Sequence, residues 1–133
     1  MKATELMIGD YILHKSGVVA KVLALTIKTA KVIFLGGDKK GKIIIAKLAD
    51  EVYPIYIDDG ILEKDGWEKR FLNSVYFRKE YGYGRVFTLT AYLDPNLYGC
   101  YYLESGTPCK LPCIRTIHEL QHALRLCGEE MIL

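Results

Sequence analysis

No apolar run in this 133-residue chain approaches the length of a membrane span, and the opening MKATELMIGDYIL lacks the uninterrupted hydrophobic stretch and cleavage site of a secretory leader. Charge of one sign is lacking too. The formal net charge is only +2, too little for a whole-molecule field that would draw nucleic acid or an anionic membrane. Histidine is scarce, at three residues. The four cysteines, Cys100, Cys109, Cys113 and Cys127, all sit in the last third, and without signs of export reduced thiols are the expectation. No internal repeat or low-complexity tract interrupts the chain. These exclusions leave a cytoplasmic globular protein with one core of ordinary size, or two small lobes sharing one.

What is present first is β-structure. From Asp10 to Ile57 helical periodicity is missing, and five short runs rich in Val, Ile and Tyr follow one another: YILHK, VVAKVLALTI, AKVIFL, KIIIAKL and EVYPIYI. Lys15-Ser16-Gly17 and Gly36-Gly37-Asp38-Lys39-Lys40-Gly41 supply turn chemistry, so neighbouring strands should pair as antiparallel hairpins. Strands this short and closely spaced predict a small, strongly bent barrel. The rhythm of IGDYILHKSGVVAKVLAL resembles the start of SH3-like barrels of the Tudor or KOW type.

After Pro54 the texture changes. Asp58-Asp59 can cap a short helix over Ile61 to Lys64, stopping near Gly66, with Trp67 following as a core aromatic. FLNSVYFRK, RVFTLTAYL and a run around LYGCYYLE predict three more antiparallel strands, separated by Gly82 and Gly84 and by Asp94-Pro95-Asn96. Thr107-Pro108-Cys109-Lys110-Leu111-Pro112 reads as irregular. Cys113 to Cys127 reads as the one substantial helix, ended by Gly128, with Cys113, Ile117, Leu120, Leu124 and Cys127 facing the sheet. The expected class is therefore α+β. An SH3-like small β-barrel over 1–57 is followed over 58–133 by a connector helix, a three-stranded antiparallel sheet and one C-terminal α-helix, all in one compact unit.

One stretch names a reaction. His118-Glu119-Leu120-Gln121-His122 has the H-E-x-x-H spacing of a zinc metallohydrolase, in which His118 and His122 would hold the metal and Glu119 would act as base. The remainder of such a site is missing. The elongated motif places a third histidine where this chain has Gly128, Glu129 and Glu130 lie about two turns beyond His122, and Arg115 and Arg125 flank the pair with permanent positive charge. The competing reading, a solvated polar helix face, is favoured. Cys109, Cys113, His118 and His122 also lack the spacing of a Cys2His2 finger, since only four residues separate the two pairs. No cofactor is expected, and no enzyme activity.

Two binding constellations remain. Tyr76, Arg78, Lys79, Tyr81, Tyr83 and Arg85 interleave aromatics with bases, as a platform for single-stranded nucleic acid would, although an ordinary tyrosine-rich sheet face explains them as well. Lys39, Lys40 and Lys42 crowd a hairpin tip, where they serve solubility and discourage edge pairing or else touch phosphate.

Three blocks, LMIGDYIL, VYPIYIDDGILEKDGWEK and IHELQHALRLCGEEMIL, together resemble a group of small uncharacterised proteins from Bacteroidetes genomes and their phages or prophages. That group begins with an LRIGN-type strand, continues through a PI.LT...L...GF connector and ends with an HELQN..FALTGEEL helix. The resemblance implies a prophage context and no catalytic residues. The group's usual Asn at the position of His122 implies that HELQ is a packing or capping signature, with His118 or Gln121 bonded to backbone. The expected function is non-enzymatic binding of a protein or nucleic acid partner away from membranes, with a homo-oligomer as a further possibility.

Overall fold

Ile12, Ala20, Val22, Ala30, Val32 and Phe34 alternate with more exposed neighbours, and that period of two builds the first sheet. The computed structural model describes residues 1–72, 74–93, 95–97, 99–105 and 110–133. Over these the chain is α+β and divides into two units, Met1–Ile55 and Tyr56–Leu133.

The first unit is a curled, barrel-like antiparallel sheet of β1 (Tyr11–His14), β2 (Val19–Leu25), β3 (Thr29–Phe34), β4 (Ile43–Lys47) and β5 (Val52–Tyr53), in the order β4-β3-β2-β1-β5. Each of the five predicted strands is found. Alanine at Ala20, Ala30 and Ala46 lets the inner face curl tightly: Ala30 pairs with Ala46, and Ala20 lies opposite the larger Phe34. A register shift between Val22 and Ala24 adds local twist. The β1–β2 hairpin turns at Gly17, whose φ of 85° suits a residue without Cβ, and its N–H donates to the His14 carbonyl at 2.8 Å.

The second unit starts two residues before the expected boundary. The Ile57 N–H donates to the Arg115 carbonyl at 3.1 Å and Tyr56 bridges Thr116, which ties both residues to this unit. The predicted connector helix is α1 (Asp59–Lys64), with Leu62 and Trp67 buried. Five strands follow rather than three: β6 (Glu68–Leu72), β7 (Ser74–Glu80), β8 (Val86–Ala91), β9 (Tyr101–Glu104) and β10 (Lys110–Ile114), in the order β10-β9-β8-β7-β6. FLNSVYFRK is two strands folded on each other, with Glu68 opposite Arg78 and Phe71 opposite Val75. The edge strand β6 is exposed at every position and so carries no apolar alternation.

Thr107, Pro108 and Cys109 lie outside the described residues, as does Asp94 of the predicted turn. From Lys110 onward the expected irregular segment is strand instead. An edge strand tolerates Pro112, and a bulge at Cys113, with φ 62°, shifts the pairing from Leu111–Leu103 to Ile114–Tyr101. The helix α2 (Ile117–Leu126) therefore begins four residues later than predicted, leaving Cys113 exposed on β10. Ile117, Leu120 and Leu124 are fully buried, as expected of the face that covers the sheet. No helix of the described residues is long and apolar enough to cross a membrane.

Candidate binding surface

HELQH occupies the first turns of α2, and its glutamate belongs to the cap. The Thr116 side chain accepts the Glu119 N–H at 3.3 Å while its hydroxyl donates to Glu119 Oε1 at 2.8 Å, so the two ends of the first turn hold each other. His118 and Gln121 are buried, whereas Glu119 and His122 are half-exposed. The expected solvated face is thus corrected, because the short helix packs these positions as well as its leucines. The two imidazoles meet edge to face at 5.8 Å. No three His, Cys, Asp or Glu side chains converge on a metal-sized space among the described residues. Glu119, the base of the zinc alternative, is turned toward Thr116.

Strand parity divides the second constellation. Phe77, Leu89 and Lys69 share one face of the sheet, as do Lys79 and Phe87, while Tyr76, Arg78, Thr88 and Thr90 share the other. Three cations on the first face each secure a helix. Lys69 Nζ lies 2.6 Å from Asp59 Oδ2 at the start of α1, and Asp59 raises the lysine above its ordinary value. Lys79 Nζ donates to the Asp65 carbonyl at 2.5 Å and to its Oδ2 at 3.0 Å, at the end of α1. Arg85 Nη2 donates to the Cys127 carbonyl at 2.5 Å and Nη1 to Glu129 Oε1 at 3.1 Å, at the end of α2. Lys79 and Arg85, members of the interleaved constellation, thus occupy helix C-termini, where backbone carbonyls and the helix dipole favour positive charge.

Asp65 is the centre of this arrangement. Its carboxylate is buried and accepts from Trp67 Nε1 at 3.0 Å, Lys79 Nζ, and the Ile132 N–H at 2.7 Å. Tyr81 packs beside it, with Lys79 over its ring at 4.8 Å and Phe87 edge-on at 5.2 Å. Its hydroxyl is buried and has no hydrogen-bond partner among the described residues, and burial, with Asp65 and Glu129 near, pushes the phenol well above its ordinary value. Tyr83 is fully exposed at the turn before β8, with φ 64°.

Both helices are held by the first face, so the second carries neither. It presents two cross-strand rows, Arg70–Tyr76–Thr90–Tyr102 and Glu68–Arg78–Thr88–Glu104. Tyr92 packs on Tyr102 with ring centroids 5.0 Å apart. Of the six predicted residues only Tyr76 and Arg78 lie here. Arg70, Tyr92 and Tyr102 were missed, and the period-two alternation around Tyr76 was the signal that could have found Arg70 once β6 was recognised. Arg70 lies 2.6 Å from Glu68, which raises the arginine and lowers the glutamate, and Arg78 lies 3.6 Å from Glu80.

Lys39, Lys40 and Lys42 are exposed at the β3–β4 tip, where the Gly41 N–H donates to the Phe34 carbonyl at 2.8 Å. Besides these flat surfaces the chain forms an apolar groove of about 720 Å³ in the first unit, bordered by Lys2, Lys28 and Lys47, and a tyrosine-lined pocket of about 470 Å³ in the second. No family model, curated protein or solved structure matches this chain.

Proposed function

We propose that the protein is a non-enzymatic binding module of a phage or prophage, acting in the cytoplasm on a protein partner through the second sheet's helix-free face. The observation that carries this reading is the composition of the two cross-strand rows. Tyrosines at 76, 92 and 102 offer stiff amphipathic contact area, and threonines and paired charges between them offer hydrogen bonds. Nucleic acid is the less favoured ligand. Glu68, Glu80 and Glu104 balance Arg70, Arg78 and Lys110 on this face, and both arginines are already paired, so little net positive charge is left for phosphate.

The phage context rests on the resemblance of the three blocks alone, which fall at the start of the first sheet, at α1 with Trp67, and at α2 with its tail. The free thiols of Cys100, Cys113 and Cys127 suit a reducing compartment. The test is a photo-crosslinking amino acid placed at Tyr76, at Tyr102 or, as control, at Tyr83, in cells carrying the phage. The same discrete protein adduct from 76 and 102 but not 83, lost with Arg78→Glu, is the expected result. Adducts to RNA or DNA from site 76, or equal adducts from all three sites, would overturn the reading.

A further inference from the structure

The tyrosine-lined pocket of the second unit shares only Tyr92 with the surface just described, and its chemistry is selective. Tyr56, Tyr92 and Tyr101 supply its rings, Gly99 leaves part of the wall open, and Arg115 is the one charged residue among the described residues that line it. Arg115 is held in place. Its Nε donates to the buried Cys100 sulfur at 2.8 Å, and its backbone carbonyl accepts from Ile57. Nothing else among the described residues accepts from its guanidinium, which leaves both Nη groups for a ligand. An arginine immediately before the Thr116 cap works against the dipole of α2, although Glu119 in the first turn attracts it, and an anionic ligand there would relieve the remaining conflict.

We propose that this pocket binds a nucleoside phosphate, free or at the end of a strand. The Arg115 Nη groups take two phosphate oxygens as a fork, a geometry lysine cannot offer. The base lies against the tyrosine rings, of which Tyr92 is steadied from behind by Tyr102. The volume of about 470 Å³ suits a ligand of nucleotide size and would leave a bare phosphate mostly unsupported. The site shares Tyr92 with the sheet face, but neither Tyr76 nor Arg78 lines it, so Arg78→Glu tests the sheet-face reading and Arg115→Gln tests this one.

Calorimetric titration of the full chain with AMP, GMP, CMP and UMP, and with the four nucleosides, tests the assignment. At least one nucleotide should bind, and its nucleoside should bind about tenfold more weakly or worse. Arg115→Gln should abolish that difference. Because Arg115 also holds Cys100, a second variant is needed: Tyr56→Ala, at a ring that is 68% exposed, should weaken binding about fivefold or more without lowering the unfolding temperature. A 5′-phosphorylated hexanucleotide and its unphosphorylated twin separate the two sources. Tighter binding of the phosphorylated strand than of any mononucleotide assigns a strand end, and the reverse order assigns a free nucleotide. No binding by any of these probes, equal binding of nucleotide and nucleoside, or affinity unchanged in Tyr56→Ala would overturn the proposal.

Discussion

The Arg85 guanidinium reaches across the second unit to the carbonyl of Cys127, the residue that ends α2. The same helix end closes on Gly128, whose N–H donates to the Arg125 carbonyl at 3.0 Å while the Glu129 N–H donates to Leu124 at 2.9 Å, the paired bonds of a glycine-terminated helix. Arg85→Ala should therefore cost about 1 kcal/mol of stability, a modest figure because the side chain is partly solvated. Equilibrium denaturation measures it, and a change in oligonucleotide affinity with unchanged stability would show the assignment to be wrong.

Replacing Asp65 should be the most damaging single change in this unit. Asp65→Ala strands the Lys79 ammonium, the Trp67 indole N–H and the Ile132 amide, for an expected loss of about 3–5 kcal/mol. Asp65→Asn keeps acceptor capacity but not charge and should fall between that variant and the parent, as urea midpoints at constant m-value will report.

Tyr81→Phe should be neutral or stabilising by up to ~1 kcal/mol, because it removes a buried hydroxyl that lacks a partner among the described residues. The linkage has a definite sign. A phenol held above its ordinary value of 10.0 contributes stability that is complete below that pH and lost as pH rises through the folded value. The parent should lose stability above about pH 10, and the phenylalanine variant should lose less there.

Glu51 gives the opposite slope in the first unit. Its carboxylate accepts the Lys47 N–H at 3.1 Å and pairs with Lys15 at 3.3 Å, in that order of importance, and is held below its ordinary value of 4.5. The resulting stability is present above that value and fades as pH falls through the lowered one. Thermal unfolding followed between about pH 6 and about pH 3 should show a smaller acid-side decline for Glu51→Gln.

Thr116→Ala should destabilise α2 by about 1 kcal/mol through loss of its cap. Glu119→Gln keeps an oxygen for the Thr116 hydroxyl and should cost less. If Glu119→Gln left stability untouched while abolishing a hydrolytic activity, the capping assignment would give way to the catalytic one.

The first sheet was legible because its strands alternate buried and exposed residues and two of its hairpins carry glycine at the turn. The second was legible only in part. β6 is an edge strand with no buried position, β10 contains a proline that reads as a breaker, and Cys113 adopts a positive φ that its residue type does not announce. Among site residues, the spacing of Tyr76 to Arg85 was plain, but adjacent strand residues point to opposite faces, and that parity sends Arg78 one way and Lys79 the other. HELQH erred in another way: two arginines beside it and no third ligand pointed to a solvated face, but a helix this short buries His118 and Gln121 with its leucines.

The bond from Ile132 to Asp65 joins residues 67 positions apart in sequence. During translation at about 5–20 residues per second, Asp65 is made roughly 3–13 s before the amide that completes its shell. The first unit has already received its last strand at Tyr53 by then and can fold early. The second must wait with a charged group half-satisfied, so its maturation is set by the arrival of its own C-terminal tail, and nascent chains stalled before Ile132 should be open to protease in this unit alone.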